Sequence, residues 1–482
     1  MAFQTYLPPC FEDKERLIKI RAVLPEVERM YKECAEENHF PGYAYGILLD
    51  GQLVHSGSGG FIDLDKKIPA TAQSMFRIAS MTKSLIAMAI LKLRDEGKIK
   101  LDDPAALYIP EMQNQQFIKD ASIITIRDLL THSAGFPTDD LWADRKLNET
   151  DEEFIALLKK GILFSNPPGT TFEYSNLGYA LLGCIIKKVT GIPYAEFINT
   201  SICQPAGMQP SSWEFTQVAE NQLAHGYSFA QKKWQEEPLL QDGAFGAIGG
   251  IITSIESFSR YAALHQDAWP PRNKEELGPI KRSSLREMHQ PWKFVKWAED
   301  LKYVNGYGYG LKWLRDSLGR VFVGHSGGLP GFGSNWYIMP EYGVGVILFT
   351  NLTYAEASKV NLKVLDKLLV EAQLQPRQLP PSEILKNRQS ELLKLLPHFE
   401  NAVASGIFAK NFFLDNSLDS LKSESNTLFS KAGKILSISN MKAESQLHGY
   451  FILEGEQSSL QISFALTPEN PSLIQQYQIK EL

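Results

Sequence analysis

Three short elements in this chain have the residue types and spacings that acyl transfer needs. Ser80-Met81-Thr82-Lys83 is an S-x-x-K element at the expected start of an apolar helix, where residues three apart share a face. A serine hydroxyl is a poor nucleophile until a base takes its proton, and a lysine serves as that base only when burial or a neighbouring cation lowers its pKa. Met81, Leu85, Ile86 and Met88 make the surroundings apolar, and a helix N-terminus disfavours a charged ammonium beside it. The pattern alone does not discriminate, because Ser439-Asn440-Met441-Lys442 repeats it in a strand and loop. Tyr174-Ser175-Asn176 offers a phenol to relay a proton and an amide to bind a substrate carbonyl or amide; the competing reading is a packed aromatic with a satisfied hydroxyl. Tyr303-Val304-Asn305 repeats that pattern too, but precedes Gly306-Tyr307-Gly308-Tyr309-Gly310 and reads as a strand edge. In His325-Ser326-Gly327-Gly328 the small residues let a substrate approach the backbone closely. A backbone N–H there, with that of Ser80, would make a two-donor oxyanion site worth about 3–4 kcal/mol per donor. The alternative is a glycine-rich turn with an incidental histidine.

The elements around these residues follow from hydrophobic periodicity. An amphipathic helix is expected over about residues 12–37. A hairpin follows, from Tyr43–Leu49 through Asp50-Gly51 to Gln52–Ser56, then a buried helix from about Ser80 to Glu96 closed by Gly97. Residues of about 100–300 read as helices and loops punctuated by glycine and proline. Three strands near Gly319–Gly324, Asn335–Met339 and Val344–Phe349 come next, with a helix near Ala355–Ala372. Strands at both ends of a helical middle imply one sheet with a helical subdomain, an α+β or mixed α/β architecture. The proline-rich stretch around residues 375–381 reads as a linker. After it two helices, one capped by Ser382, and four strands form a small separate module.

The 482 residues hold 49 Lys and Arg against 55 Asp and Glu, a net charge of −6 with no block of like charge, so nucleic acid is not an expected partner. The longest apolar runs, Leu85–Leu91 and Gly343–Thr350, are too short for a membrane span. The stretch Met1–Cys10 has neither the basic nor the apolar region of a secretory leader, which favours a cytoplasmic protein, or a periplasmic one had a leader been trimmed. Four scattered cysteines, Cys10, Cys34, Cys184 and Cys203, read as free thiols. Nine histidines, among them His132 and His225, include no metal-ligand spacing, so no metal or cofactor is expected.

The order of the three elements resembles that of the serine hydrolases of the penicillin-recognising superfamily, in particular the class C β-lactamase-like, peptidase S12-like group. Leu129-Leu130-Thr131-His132-Ser133-Ala134-Gly135-Phe136-Pro137, Asn166-Pro167-Pro168-Gly169 leading to Tyr174-Ser175-Asn176, Gly249-Gly250-Ile251-Ile252-Thr253-Ser254 and Gly324–Phe332 are similar to further segments of that group. The resemblance spans about residues 12–372. It implies a serine β-lactamase/transpeptidase-like fold with a central antiparallel sheet, flanking helices and a helical subdomain. Ser80 would be the acylated nucleophile, Lys83 and Tyr174 would share base and acid duty, and Asn176 would hold the substrate. The N–H groups of Ser80 and Gly328, beside Gly327, would form the oxyanion site, and His132 falls in a structural turn. The group's usual lysine at the head of the late-strand triad is His325 here, which removes a permanent cation and shifts the expectation toward small amides or esters, including D-amino-acid peptides. β-Lactamase or DD-peptidase activity, and a non-catalytic binder of peptidoglycan fragments or β-lactams, are the alternatives. Residues 1–375 are assigned to the hydrolase domain and 376–482 to an α+β module of NTF2 or cystatin type, which could rim the active site or mediate homo-oligomers. The expected partner is a small-molecule or short-peptide substrate.

Overall fold

A computed structural model describes residues 6–113, 115, 118–299 and 302–482. Of the Met1–Cys10 stretch read for a leader, the first five residues lie outside the described residues. The chain divides into two compact units, Asp13–Pro376 and Arg377–Leu482, the second joined by residues 6–12. That differs from a first domain beginning at residue 1. The reason is local: Cys10 and Gln378 exchange backbone hydrogen bonds of 3.0 and 2.8 Å. No described helix is long and apolar enough to cross a membrane.

In the larger unit, helix α1 (Arg16–Glu37) leads into β1 (Gly42–Leu49) and β2 (Gln52–Asp63), followed by the short β3 (Ile68–Pro69). Asp50 and Gly51 join β1 to β2 with φ of 52° and 78°, the positive values that a two-residue hairpin turn demands. Helix α2 (Thr82–Asp95) is buried almost all round, as its near-continuous apolar sequence requires, and the chain leaves it at Gly97 with φ 73°. Helices α3 (Asn176–Thr190) and α4 (Ile255–Asp267) follow. The later strands are β4 (Lys293–Ala298), β5 (Tyr303–Tyr307), β6 (Lys312–Asp316), β7 (Val321–Leu329), β8 (Phe332–Met339) and β9 (Val344–Thr350), and helix α5 (Ala357–Glu371) ends the unit.

One nine-stranded antiparallel sheet runs in the order β3-β2-β1-β9-β8-β7-β6-β5-β4, so the early and late parts of the larger unit meet where β1 pairs with β9, from Tyr43 opposite Thr350 to Leu49 opposite Val344. Every residue of β1, β8 and β9 is buried, because both faces are covered. Tyr45, Ile47, Tyr337, Val346 and Leu348 pack toward α1 and α5, while Ala44, Leu48, Trp336, Ile347 and Phe349 pack toward α4 and the helical middle. Strands β4, β5 and β6 fall in and just after the stretch read as helix and loop. Their outer position leaves side chains such as Phe294 and Trp297 exposed, so their sequences lack the apolar runs of the central strands.

In the smaller unit, α6 (Glu383–Leu393) is capped by Ser382, whose hydroxyl accepts from the Leu385 N–H at 3.4 Å, and α7 (Leu418–Ala432) is the second long helix. Strands β10 (Ile435–Ile438), β11 (His448–Gly455), β12 (Ser459–Leu466) and β13 (Ile474–Glu481) form an antiparallel sheet in that order, with Lys442–Ala443 also paired to β11. Leu460, Ile462, Phe464 and Leu466 alternate inward on β12 and share a core with Leu385, Leu392, Phe399 and Phe412.

Trp336 is the largest side chain fully buried in the larger unit, set edge-on to Phe258, Tyr261 and His265 of α4 at 5.5, 6.0 and 5.1 Å between ring centroids. Its indole N–H has no acceptor among the described residues. Trp336→Ala is therefore expected to cost about 3–5 kcal/mol. Trp336→Phe should cost much less, because it removes a buried unsatisfied donor along with part of the volume. Urea unfolding midpoints of the two variants check the ranking.

Candidate active site

Ser80 stands in a single 3-10 turn, Ala79–Met81, immediately before α2 rather than in the helix itself. Ala79 has a φ of 50°, a left-handed conformation unusual for alanine, so the turn must be held from outside. Ile78 N–H donates to the Ile251 carbonyl at 2.9 Å and Ile251 N–H donates to the Thr82 hydroxyl at 3.3 Å, which ties the turn to the Gly249–Ser254 segment. From the sheet side, the Ser334 hydroxyl donates to the Ile78 carbonyl at 2.7 Å. Strand β7 comes so close that a Cβ on Gly327 would lie 2.3 Å from that same carbonyl oxygen; only glycine fits. β6 pairs with β7 only as far as Gly324, so the edge of β7 from His325 onward has no strand partner and faces the cavity.

Lys83 is fully buried one turn further on. Its Nζ donates to Ser80 Oγ at 3.0 Å, to Asn176 Oδ1 at 2.7 Å and to the Ile248 carbonyl at 2.9 Å. Asn176 Nδ2 donates to Asp140 at 2.9 Å and Asp144 at 3.4 Å, which leaves its oxygen for Lys83. Asn176 Oδ1 and the Ile248 carbonyl can only accept. A neutral Lys83 must spend its two N–H bonds on them, and its lone pair then faces the Ser80 hydroxyl. Burial lowers the Lys83 pKa, opposed by the negative charges of Asp144, Asp140 and Asp139. Burial likewise raises the Asp144 pKa. Asp139 caps α3 from a distant loop, accepting from the N–H groups of Asn176 and Leu177 at 2.6 and 2.9 Å and from the Ser175 hydroxyl at 3.1 Å.

Tyr174 lies with its ring 5.1 Å from Lys83 Nζ; burial raises its pKa well above that of a free phenol, and the Ser80 hydroxyl acts in the opposite sense. His132 packs against Tyr174 with centroids 4.2 Å apart and the rings tilted by 36°, and it accepts the Ser175 N–H on Nδ1 at 3.1 Å, so it holds the tyrosine loop in place. His325 is buried between two fixed partners. Its Nδ1 lies 2.6 Å from the Ser326 carbonyl and so carries the proton, and the Tyr307 hydroxyl donates to Nε2 at 3.0 Å. Burial, with Lys312 and Lys83 nearby, pushes its pKa well below the imidazole range and keeps it neutral.

Ser80, Tyr174, His325, Gly327 and Gly328 line one cavity of about 570 Å³, with Asp140, Asp144, Tyr307, Lys312 and Tyr354. Lys83 stands behind Ser80. Asn176 departs from the expectation: it is fully buried with both amide atoms engaged, so it positions Lys83 instead of presenting itself to a substrate. The loss of a cation at position 325 is also offset, because Lys312 enters the same cavity from the neighbouring strand. His225 lies apart, against Glu236 at 2.7 Å. The residues that sequence reasoning missed are the Asp139, Asp140 and Asp144 group, Tyr307, Lys312 and Tyr354, whose hydroxyl donates to Asp144 at 3.0 Å. Only the aspartates carried a usable signal, three carboxylates within six residues just after the Leu129–Pro137 turn. No group of His, Cys, Asp and Glu suited to a metal occurs among the described residues.

A sequence model of the Beta-lactamase family matches residues 27–370. Protein flp of Staphylococcus aureus (strain N315) is 26% identical over 332 residues, 68% of this chain and 63% of that protein, so the chain spans less than two thirds of that relative's length. Among solved structures, the octameric penicillin-binding protein homologue from Pyrococcus abyssi superimposes with a TM-score of 0.63 at 22% identity, covering 95% of both chains. EstCE1, a hydrolase with promiscuous acyltransferase activity, gives a TM-score of 0.60 at 19% identity over 73% of this chain and 99% of its own. With the matched segment covering the nine-stranded sheet and all three chemical elements, the chain belongs to the Beta-lactamase family, among the serine hydrolases of the β-lactamase and penicillin-binding-protein superfamily.

Proposed function

We propose that this protein hydrolyses a small amide or ester, including peptides with a D-amino acid, through an acyl-enzyme on Ser80. The observation that carries this reading is the Lys83 site: two obligate acceptors orient the amine, and the third direction is the Ser80 hydroxyl. Neutral Lys83 takes the Ser80 proton as Oγ attacks the substrate carbonyl, forming the C–O bond and a tetrahedral oxyanion. The N–H groups of Ser80 and Gly328 hold that oxyanion. Burial makes a Tyr174 phenolate costly, so Tyr174 acts as the acid: its hydroxyl gives a proton to the departing nitrogen or oxygen and is reprotonated through Lys83. Water then attacks the acyl-enzyme with the same groups working in reverse. His325, held neutral with both ring nitrogens engaged, lines the cavity without gripping a substrate's charge. The fold likeness to a hydrolase with acyltransferase activity is consistent with this chemistry. Self-association through the unit after Pro376 is the second part of the reading, supported by the octameric homologue whose match extends over 95% of this chain.

Ser80→Ala is expected to lower kcat/KM for chromogenic p-nitrophenyl esters by at least about 10³-fold and to abolish fluorophosphonate labelling; retained labelling contradicts the assignment. Because the base must be neutral, kcat/KM should rise as pH climbs through the lowered Lys83 pKa, with no step in the ordinary imidazole range from His325. Asp140→Asn keeps an acceptor for Asn176 but removes a charge that stabilises the ammonium, so the rising limb should move to lower pH. Light scattering on the full chain should return a mass above that of one subunit.

A further inference from the structure

The cavity that holds Ser80 also holds an ammonium that the reaction above leaves unused. Lys312 opens β6, directly across from Tyr307 on one side and Gly324 on the other. Gly324 has no side chain to compete with it at that register, and the partly buried lysine lines the same cavity as Ser80, Tyr174 and His325. Among the described residues its ammonium makes no hydrogen bond and no ion pair. Asp140 acts on it favourably and Lys296 unfavourably, while burial lowers its pKa. A partly desolvated cation without a counterion is costly unless an anion comes to it. No carboxylate of the cavity pairs with it directly, although Asp140 lies within its field. Asp140 is engaged with Asn176, Asp144 with Asn176 and Tyr354, and Glu356 with Lys359. Lys296, exposed on β4, adds a second positive charge to the same wall. The neutral His325 cannot serve as an anion's partner.

We propose that Lys312 anchors a carboxylate of the substrate, one strand outward from His325, so that the preferred substrates are esters or amides that carry a free carboxylate at a distance from the reacting carbonyl. This rests on the acyl-serine reading above. A lysine suits the task as a compact point charge on a flexible stem, tolerant of how the carboxylate is oriented. Lys312 is a binding residue and takes no part in the bond changes at Ser80.

Two matched substrate pairs test the assignment on the full-length protein. The mono-p-nitrophenyl ester of glutaric acid against its methyl ester places the carboxylate on the acyl side, and meta-acetoxybenzoate against its methyl ester places it on the leaving group. The expected result is a kcat/KM ratio of acid to methyl ester of at least about 10 in one pair, carried mainly by KM, as one charge-assisted contact provides. Lys312→Met should bring that ratio down to about 1 or below, and Lys312→Arg should restore most of it. A ratio at or below 1 in both pairs for the unmodified protein overturns the anchor, whether or not the variants fold, and so does a ratio unchanged in Lys312→Met. If the unmodified protein hydrolyses none of the four esters and fluorophosphonate does not label Ser80, the acyl-serine reading itself fails and the anchor falls with it. Hydrolysis without carboxylate preference removes the anchor alone.

Discussion

The architecture around Ser80 depends on keeping one amine out of water in a fixed orientation. Lys83 can act on a serine only if its pKa is lowered and its lone pair is aimed, and these demands conflict, because a buried lysine without partners would be expelled. The fold reconciles them with acceptors that hold two N–H directions, Asn176 and the Ile248 carbonyl, each from a different part of the chain. The carboxylates behind Asn176 then set how far the pKa falls. The nine-stranded sheet adds the opposite wall, and the absence of a side chain on Gly327 brings that wall to the serine turn.

What could be read from the sequence depended on whether a residue's neighbours were local. The hairpin at Asp50-Gly51, helix α2 and strands β7, β8 and β9 follow from turn chemistry and apolar runs, and all stand where expected within a few residues. Of the outer strands only β5 showed, as the strand edge read at Tyr303; β4 and β6 did not, because a partly exposed outer sheet region needs neither an apolar run nor clean alternation. At the site, Ser80, Lys83, Tyr174 and His325 were legible from short motifs. The change in Asn176 from substrate ligand to lysine support was not, since it depends on Asp140 and Asp144 arriving from another loop. Lys312 was invisible for the same reason: only the pairing of β6 with β7 brings it to the cavity.

Charge in the cavity is divided between separate groups, which alters the meaning of the histidine at position 325. Taken alone, His325 in place of lysine reads as a lost cation. In the folded chain the cation is carried by a neighbouring strand, and the position next to the oxyanion site is occupied by a neutral ring locked between a tyrosine hydroxyl and a backbone carbonyl. A permanent charge there would stand close to the Lys83 amine and depress its proton affinity; from one strand outward Lys312 still lowers the Lys83 pKa, but far less than burial does.

The cap on α3 joins two parts of the molecule that the chain order keeps apart. Asp139 supplies the acceptor that the helix's own first residues lack, while its neighbour Asp140 lines the cavity. Any rearrangement of that loop as a ligand enters must loosen the first turn of the helix, and with it the grip of Asn176 on Lys83. Loop position and base orientation are thus mechanically linked, and the amide protons of Asn176 and Leu177 would exchange with solvent at a rate that reports the loop's opening.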